Sequence, residues 1–215
     1  MKKLIIFILL TMVFQWANAI EITIRNIDGS TEIRQYNVST ERLEFIYGNG
    51  RNMIEIIGLE QLVNLREIWI GMTPFITNYD FLTRINYLEV LVFQDIRFSD
   101  IDFIYNIPSL KKIIFQSCRI NNVIDVTRLP YLEYFEFTHS QLTEFPILIQ
   151  ERRNIDTINV SFNSISIIPI DENLDILIIA VRNQIRNTGN SNIITDVPGN
   201  NIYYILPERY RQYLR

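Results

Sequence analysis

Apolar residues recur along this chain at a regular interval of 20 to 23 positions. The segments LEVLVFQDIRF from Leu88 and LKKIIFQSCRI from Leu110 both carry apolar side chains at their first, fourth, sixth and eleventh positions. A fixed period of this length predicts a repeat array, in which each repeat buries its apolar face against its neighbours. Repeats with this spacing, some of them looser, begin at positions 43, 65, 88, 110, 132, 155 and 175.

The shared spacing resembles the leucine-rich repeat, L-x-x-L-x-L-x-x-N/C-x-L, over residues 43–185. The resemblance implies an α/β solenoid, a curved array with a parallel β-sheet on its concave face and short 3-10 or extended segments on its convex face. Because side chains alternate along a strand, the fourth and sixth residues should enter the core, and the fifth should face outward. The resemblance also implies that the ninth side chain turns inward, where the strand meets the loop.

The two ends of the array are expected to carry covers, because a terminal repeat would otherwise expose one side of its core. Residues 20–42 predict an N-terminal β-hairpin cap, in which IEITIRN and STEIRQYNV flank a turn at Asp28-Gly29. Residues 186–215 are expected to form a C-terminal cap, with a short helix starting near Pro207.

Residues 1–19 have the pattern of a cleaved secretory signal. A basic start and an apolar run are followed by Ala17-Asn18-Ala19. The apolar run is shorter than the roughly 20 residues that a membrane-spanning helix needs. Cleavage near Ala19 would give an exported protein without a transmembrane segment, in the periplasm, at the cell surface or outside the cell. Since the cysteine-rich caps of many animal and plant repeats are missing, a bacterial source is expected.

The charge of the chain argues against nucleic acid as a partner. The formal net charge of -4 becomes -6 when the signal is removed, because that segment contains Lys2 and Lys3 and no acid. Binding to a phosphate backbone requires a basic surface. A protein partner is therefore the better expectation.

The only cysteine, Cys118, stands at the ninth position of its repeat, where Asn163 and Asn183 stand in theirs. A lone cysteine in an exported chain could be a nucleophile, a metal ligand, half of an intermolecular disulfide or a small buried residue. Asparagine at this position can bond the loop backbone, whose buried polar groups need partners. Cysteine fits the same space, so Cys118 is predicted to be buried and structural.

The only histidine, His139, lies 21 residues after Cys118. Together, Cys118 and His139 are the only candidate pair for a nucleophile and its base. His139 is the eighth residue of its repeat and should face solvent, whereas the ninth residue should face the core. The sequence contains no acidic pair at a spacing that indicates catalysis, no glycine-rich phosphate loop and no set of residues with metal-ligand spacing. We therefore expect no enzyme activity, cofactor, metal or small-molecule substrate.

The outward positions of the predicted strands are rich in apolar and aromatic residues, most strongly in the first four repeats. Soluble surfaces seldom carry a contiguous apolar stripe without a partner, which favours a contact surface on the concave face. The alternative explanation is that β-propensity alone enriches such residues in strands. The predicted contact residues are Phe45, Tyr47, Trp69, Val90, Val92, Ile114 and Tyr134.

These observations predict a non-enzymatic, exported module that recognises a host or envelope protein through the concave face of the solenoid. The alternative function is a structural or assembly component of the cell envelope or of a surface layer, which would associate through its edges and caps.

Overall fold

The computed structural model describes residues 19–46, 52–120, 123–146, 155–168, 177–183 and 193–194. The predicted signal peptide up to residue 18 and most of the predicted C-terminal cap lie outside the described residues. The chain divides into two compact modules. The first contains the described residues up to Val90 together with Asp102–Ser109, and the second contains Leu91–Ile101 and the described residues from Leu110 onward.

The first module begins with an antiparallel hairpin, as the sequence predicts. Strand β1 (Ala19–Asn26) pairs with strand β2 (Thr31–Asn37), and Gly29 in the turn between them has a φ of 82°, which favours glycine. Strand β1 also pairs antiparallel with β4 (Met53–Ile57), so the order of this sheet is β2-β1-β4. Strand β4 is a third strand that the repeat pattern did not predict.

The rest of the first module alternates parallel strands with short 3-10 helices. Strand β3 (Arg42–Phe45) pairs parallel with strand β5 (Glu67–Gly71). The prediction of short 3-10 segments between the strands is confirmed, and Leu62 and Ile107 in these segments are buried as expected. The 3-10 helices of this module are Leu59–Gln61, Asp80–Arg84 and Asp102–Asn106.

The pairing of β3 with β5 corrects the predicted start of the first repeat. Leu43 lies beside Ile68 and Phe45 lies beside Ile70, which are the fourth and sixth residues of the next repeat. Leu43 is therefore a fourth residue and not a first one, and the repeat starts at Thr40. The pattern missed this register because Thr40 is polar, so the apolar spacing matched better three residues later.

The second module contains parallel strands that lie side by side in chain order. A 3-10 helix, Val126–Arg128, lies between the strands Lys112–Gln116 and Tyr134–Thr138. Four strands, which begin at Lys112, Tyr134, Thr157 and Leu177, each start at the third residue of a predicted repeat, as expected if the fourth residue enters the core. The strands of this module are β6 (Val90–Gln94, whose first residue belongs to the first module), β7 (Lys112–Gln116), β8 (Tyr134–Thr138), β9 (Thr157–Asn159), β10 (Leu177–Ile179) and β11 (Ile193–Ile194).

Phenylalanine side chains fill much of the core of the second module. The ring of Phe115 stacks on Phe93 with centroids 5.5 Å apart and meets the edge of Phe98 at 5.7 Å. It also contacts Phe137, whose centroid lies 5.2 Å away. Full burial of one such side chain stabilises a fold by about 1.5–3 kcal/mol. Among the residues that the structure describes, no helix is long and apolar enough to cross a membrane.

The eighth residue of six successive repeats adopts the left-handed backbone conformation, although none of them is glycine. This conformation brings Cβ close to the following carbonyl oxygen and costs an L-residue about 1–2 kcal/mol. Each of these residues follows the strand of its repeat, and the turn directs the ninth side chain into the core. The residues are Met72, Asp95, Ser117, His139, Phe162 and Arg182, with φ from 53° to 59°.

Replacing Ser117 with glycine is expected to raise the free energy of unfolding by about 0.5–1 kcal/mol, because glycine relieves the left-handed strain at an exposed position. Equilibrium unfolding in urea measures the change. Gln116→Gly is the matched control, since Gln116 is the neighbouring exposed residue in strand β7 and should lose about 0.5–1 kcal/mol. Equal losses for both variants would contradict a strained residue 117.

Candidate functional site

The structure places five of the predicted contact residues on outward strand faces, but not all of them are open to solvent. Trp69, Val90 and Ile114 are half-buried. Val92 and Tyr134 are only 4% and 9% exposed, so neighbouring side chains cover most of their surface. The parts of this surface in the two modules are therefore smaller than the sequence predicted.

Phe45 is not a surface residue, which corrects the prediction for this position. Its side chain is 0% exposed because Phe45 is the sixth residue of its repeat and points into the core beside Ile70. The residue that lies next to Trp69 on β3 is Glu44. Tyr47 lies outside the described residues.

In the first module, charged side chains hold Trp69 in place. The indole N–H of Trp69 donates a hydrogen bond to the Glu67 carboxylate. The guanidinium carbon of Arg42 lies 4.6 Å from the centroid of the indole ring, and Arg42 also forms ion pairs with Glu44 and Glu67. The apolar spacing of the repeats does not predict these charged residues, because the spacing concerns only apolar positions.

In the second module, Glu136 organises the outward face of strands β7 and β8. The Tyr134 hydroxyl donates to Glu136 Oε2 at 2.6 Å, and the Thr138 hydroxyl donates to Glu136 Oε1 at 3.2 Å. The Lys112 ammonium lies 4.7 Å from the centroid of the Tyr134 ring. Burial, and then the charge of Glu136, raise the pKa of Tyr134, so its hydroxyl remains a donor. Ile114 lies beside Glu136 and is the apolar member of this face.

Cys118 is buried, as the sequence predicts. Its thiol donates to the carbonyl oxygens of Phe93 at 3.5 Å and Gln116 at 3.4 Å, and its backbone N–H donates to the Ser140 hydroxyl at 2.9 Å. Burial raises the pKa of the thiol to about 12. A thiol that stays protonated is a poor nucleophile and a poor metal ligand, so Cys118 has a structural role.

Asn163 occupies the equivalent ninth position two repeats later and makes stronger bonds. Its Oδ1 accepts from the backbone N–H groups of Ser140 and Leu142, each at 3.1 Å. Its Nδ2 donates to the carbonyl oxygens of Phe137 at 2.6 Å and Val160 at 2.8 Å. The asparagine therefore links the backbones of two adjacent repeats.

In the folded protein, Cys118 is expected to react with a maleimide far more slowly than a free cysteine, even at about pH 10, where an exposed thiol is already ionised. The reason is that the thiol is inaccessible and that burial raises its pKa. Labelling followed by mass spectrometry measures the rate, and the control is the same chain in denaturant, where labelling should be fast. Rapid labelling of the native protein would contradict a buried ninth position.

His139 and Cys118 face different surroundings, as predicted. His139 is exposed and its ring stacks on Phe162 with centroids 4.2 Å apart, whereas Cys118 is 0% exposed. No hydrogen bond joins the two side chains in the part of the chain that the structure describes. Within the same described ranges, no group of three or more His, Cys, Asp or Glu side chains is placed to hold a metal ion.

No protein-family model and no curated protein matches this chain. Among solved structures, internalin C2 from Listeria monocytogenes aligns with a TM-score of 0.57 at 15% identity, over 75% of this chain and 84% of the internalin chain. The internalin InlF from the same organism aligns with a TM-score of 0.47 at 17% identity, over 74% of this chain and 53% of its own. The likeness to internalin C2 shows that the fold is a leucine-rich repeat solenoid.

Proposed function

We propose that this chain is an exported, non-enzymatic module that binds a host or envelope protein through the outward faces of its parallel strands. The observation that carries the proposal is Trp69, an aromatic side chain that is half-exposed on a strand face and held by Arg42 and Glu67. Tryptophan and tyrosine anchors dominate the energy of many protein interfaces. Because Trp69 is already held in one position, its side chain would lose little conformational entropy when a partner binds.

The outward face of the second module has a composition that supports the same proposal. Ile114 offers an apolar contact, and Lys112 and Glu136 provide charged groups of both signs beside it. Protein interfaces combine an apolar centre with polar groups that fix the orientation of the partner. The Tyr134 hydroxyl is already bonded to Glu136, so the polar groups are also ordered before binding.

Photo-crosslinking tests the proposal at single positions. Benzoylphenylalanine placed at Trp69 or at Ile114 of the mature chain should capture the same protein from envelope or host extracts. The matched control is Tyr131, which is 60% exposed on the segment between two strands and should not capture it. Equal capture at Tyr131 would contradict binding through the strand faces.

The captured partner then allows an affinity measurement. Trp69→Ala should weaken binding at least fivefold, or about 1 kcal/mol, because an anchor is lost. Its melting temperature should fall only slightly, since an exposed cation–π contact contributes about 0.5–1 kcal/mol. Unchanged affinity for Trp69→Ala would remove the proposed role of this residue.

A further inference from the structure

Among the strands that the structure describes, β2 is the outer strand of the antiparallel sheet and pairs only with β1. At the end of the hairpin, the backbone N–H of Asn26 donates to the carbonyl oxygen of Ser30. Along an antiparallel pair, the backbone hydrogen bonds to the neighbouring strand are made by every second residue. Counting from Ser30, Glu32 and Arg34 therefore form backbone hydrogen bonds with β1. The backbone N–H and C=O groups of Thr31, Ile33 and Gln35 therefore point away from the sheet, and no described strand pairs with them.

The side chains of this open edge are self-complementary. Ile33 lies at the centre of the edge strand β2 and is 60% exposed. Its neighbours in the strand, Glu32 and Arg34, form an ion pair with 2.6 Å between Glu32 Oε1 and Arg34 Nε. A second copy laid antiparallel about a two-fold axis at Ile33 would place each Glu32 opposite the Arg34 of the other copy. Glu32 and the opposite Arg34 would then form a non-hydrogen-bonded pair of the antiparallel ladder, in which the two Cα atoms are about 4.5 Å apart. Opposite charges at that distance attract each other.

We propose that two copies of this chain form a two-fold dimer in which β2 pairs with β2, giving a six-stranded sheet in the order β4-β1-β2-β2-β1-β4. The same edge is used by both copies, so the contact closes and leaves no free edge at β2. One pair of short strands buries less surface than the roughly 1,200 Å² of a standard interface, so the dimer should be weak and concentration-dependent. This contact does not involve the outward faces of the parallel strands and goes beyond the proposed binding of a protein partner.

Single cysteines test the predicted register, because Cys118 is fully buried and an added cysteine on β2 would be the reactive thiol. In the dimer, the two copies of residue 33 have Cα atoms about 5.5 Å apart, which is within the range of a disulfide. The two copies of residue 35 lie about 14 Å apart, because each faces Thr31 of the other copy. Under mild oxidation, Ile33→Cys should form a disulfide-linked dimer at least tenfold faster than Gln35→Cys.

Charge reversal tests the same contact without a covalent bond. Glu32→Arg places two arginines opposite each other and should shift sedimentation of the mature chain to monomer, while Glu32→Arg with Arg34→Glu should restore the dimer. Melting temperatures report whether each variant is folded. If Arg34→Glu lowers stability, the comparison of Ile33→Cys with Gln35→Cys still tests the register. Equal cross-linking at residues 33 and 35 would overturn the proposal, as would a wild-type chain that stays monomeric up to about millimolar concentration.

Discussion

Asn163→Ala is expected to lower the free energy of unfolding by about 3 kcal/mol or more, which is a large share of the stability of a typical domain. The buried amide satisfies the N–H groups of Ser140 and Leu142 and the carbonyl groups of Phe137 and Val160. Alanine removes all of these bonds at once. Each buried backbone group left without a partner costs about 1–3 kcal/mol, although local rearrangement recovers part of that loss.

Urea unfolding monitored by circular dichroism measures this effect. Asn106→Ala is the matched control, because Asn106 is exposed in a 3-10 helix and its loss should change stability by less than about 0.5 kcal/mol. Cys118→Ala should fall between the two, since its thiol donates only weak bonds. If Asn163→Ala and Asn106→Ala unfolded at the same urea concentration, the ninth-position asparagine would have no structural role.

Phe115→Asp is expected to unfold the second module. The side chain of Phe115 is fully buried among Phe93, Phe98 and Phe137, and none of these can pair with a carboxylate. An unpaired charge in such a site is destabilising by more than about 4 kcal/mol, in addition to the loss of the ring contacts. The variant should lose the near-ultraviolet circular dichroism and the cooperative melting transition that come from the second module.

Gln116→Asp is the control for this charge, because Gln116 is the next residue of the same strand and faces solvent. It should melt within a few degrees of the wild type. A Phe115→Asp protein with the wild-type melting temperature would mean that residue 115 does not enter the core, and the alternation assigned to strand β7 would then be wrong.

The regular part of the fold is predictable from the sequence because the information is local. Within a repeat, the strand, the inward ninth residue and the return segment follow one another over about 22 residues, and each has its own side-chain pattern. Strands β7 to β10 accordingly begin at the third residues of predicted repeats, and Cys118 and Asn163 are buried at ninth positions. The left-handed eighth residues have no common side-chain type, since Met72 and Phe162 are apolar, Asp95 is acidic and Arg182 is basic.

The start of the array depends on long-range pairing instead. The register of β3 is set by its contact with β5, which places Phe45 beside Ile70 in the core. Strand β4 is defined by its antiparallel pairing with β1, where Ile56 meets Ile24. Neither strand carries the full apolar spacing of a repeat. For β3, the apolar residues alone therefore favoured a repeat start at Leu43, which is three positions too late.

The sequence by itself determined the repeat, its period and which side chains enter the core in the repeats from Leu65 onward, because burial of an apolar face imposes a spacing that can be read along one chain. Only the tertiary structure decided which outward residues are accessible. Trp69 is flanked by Arg42 and Glu67, and Tyr134 is bonded to Glu136, through contacts whose geometry the spacing does not specify. The exposure of a strand residue depends on how much of its surface the neighbouring side chains cover. That coverage depends on packing between strands that are distant in the chain.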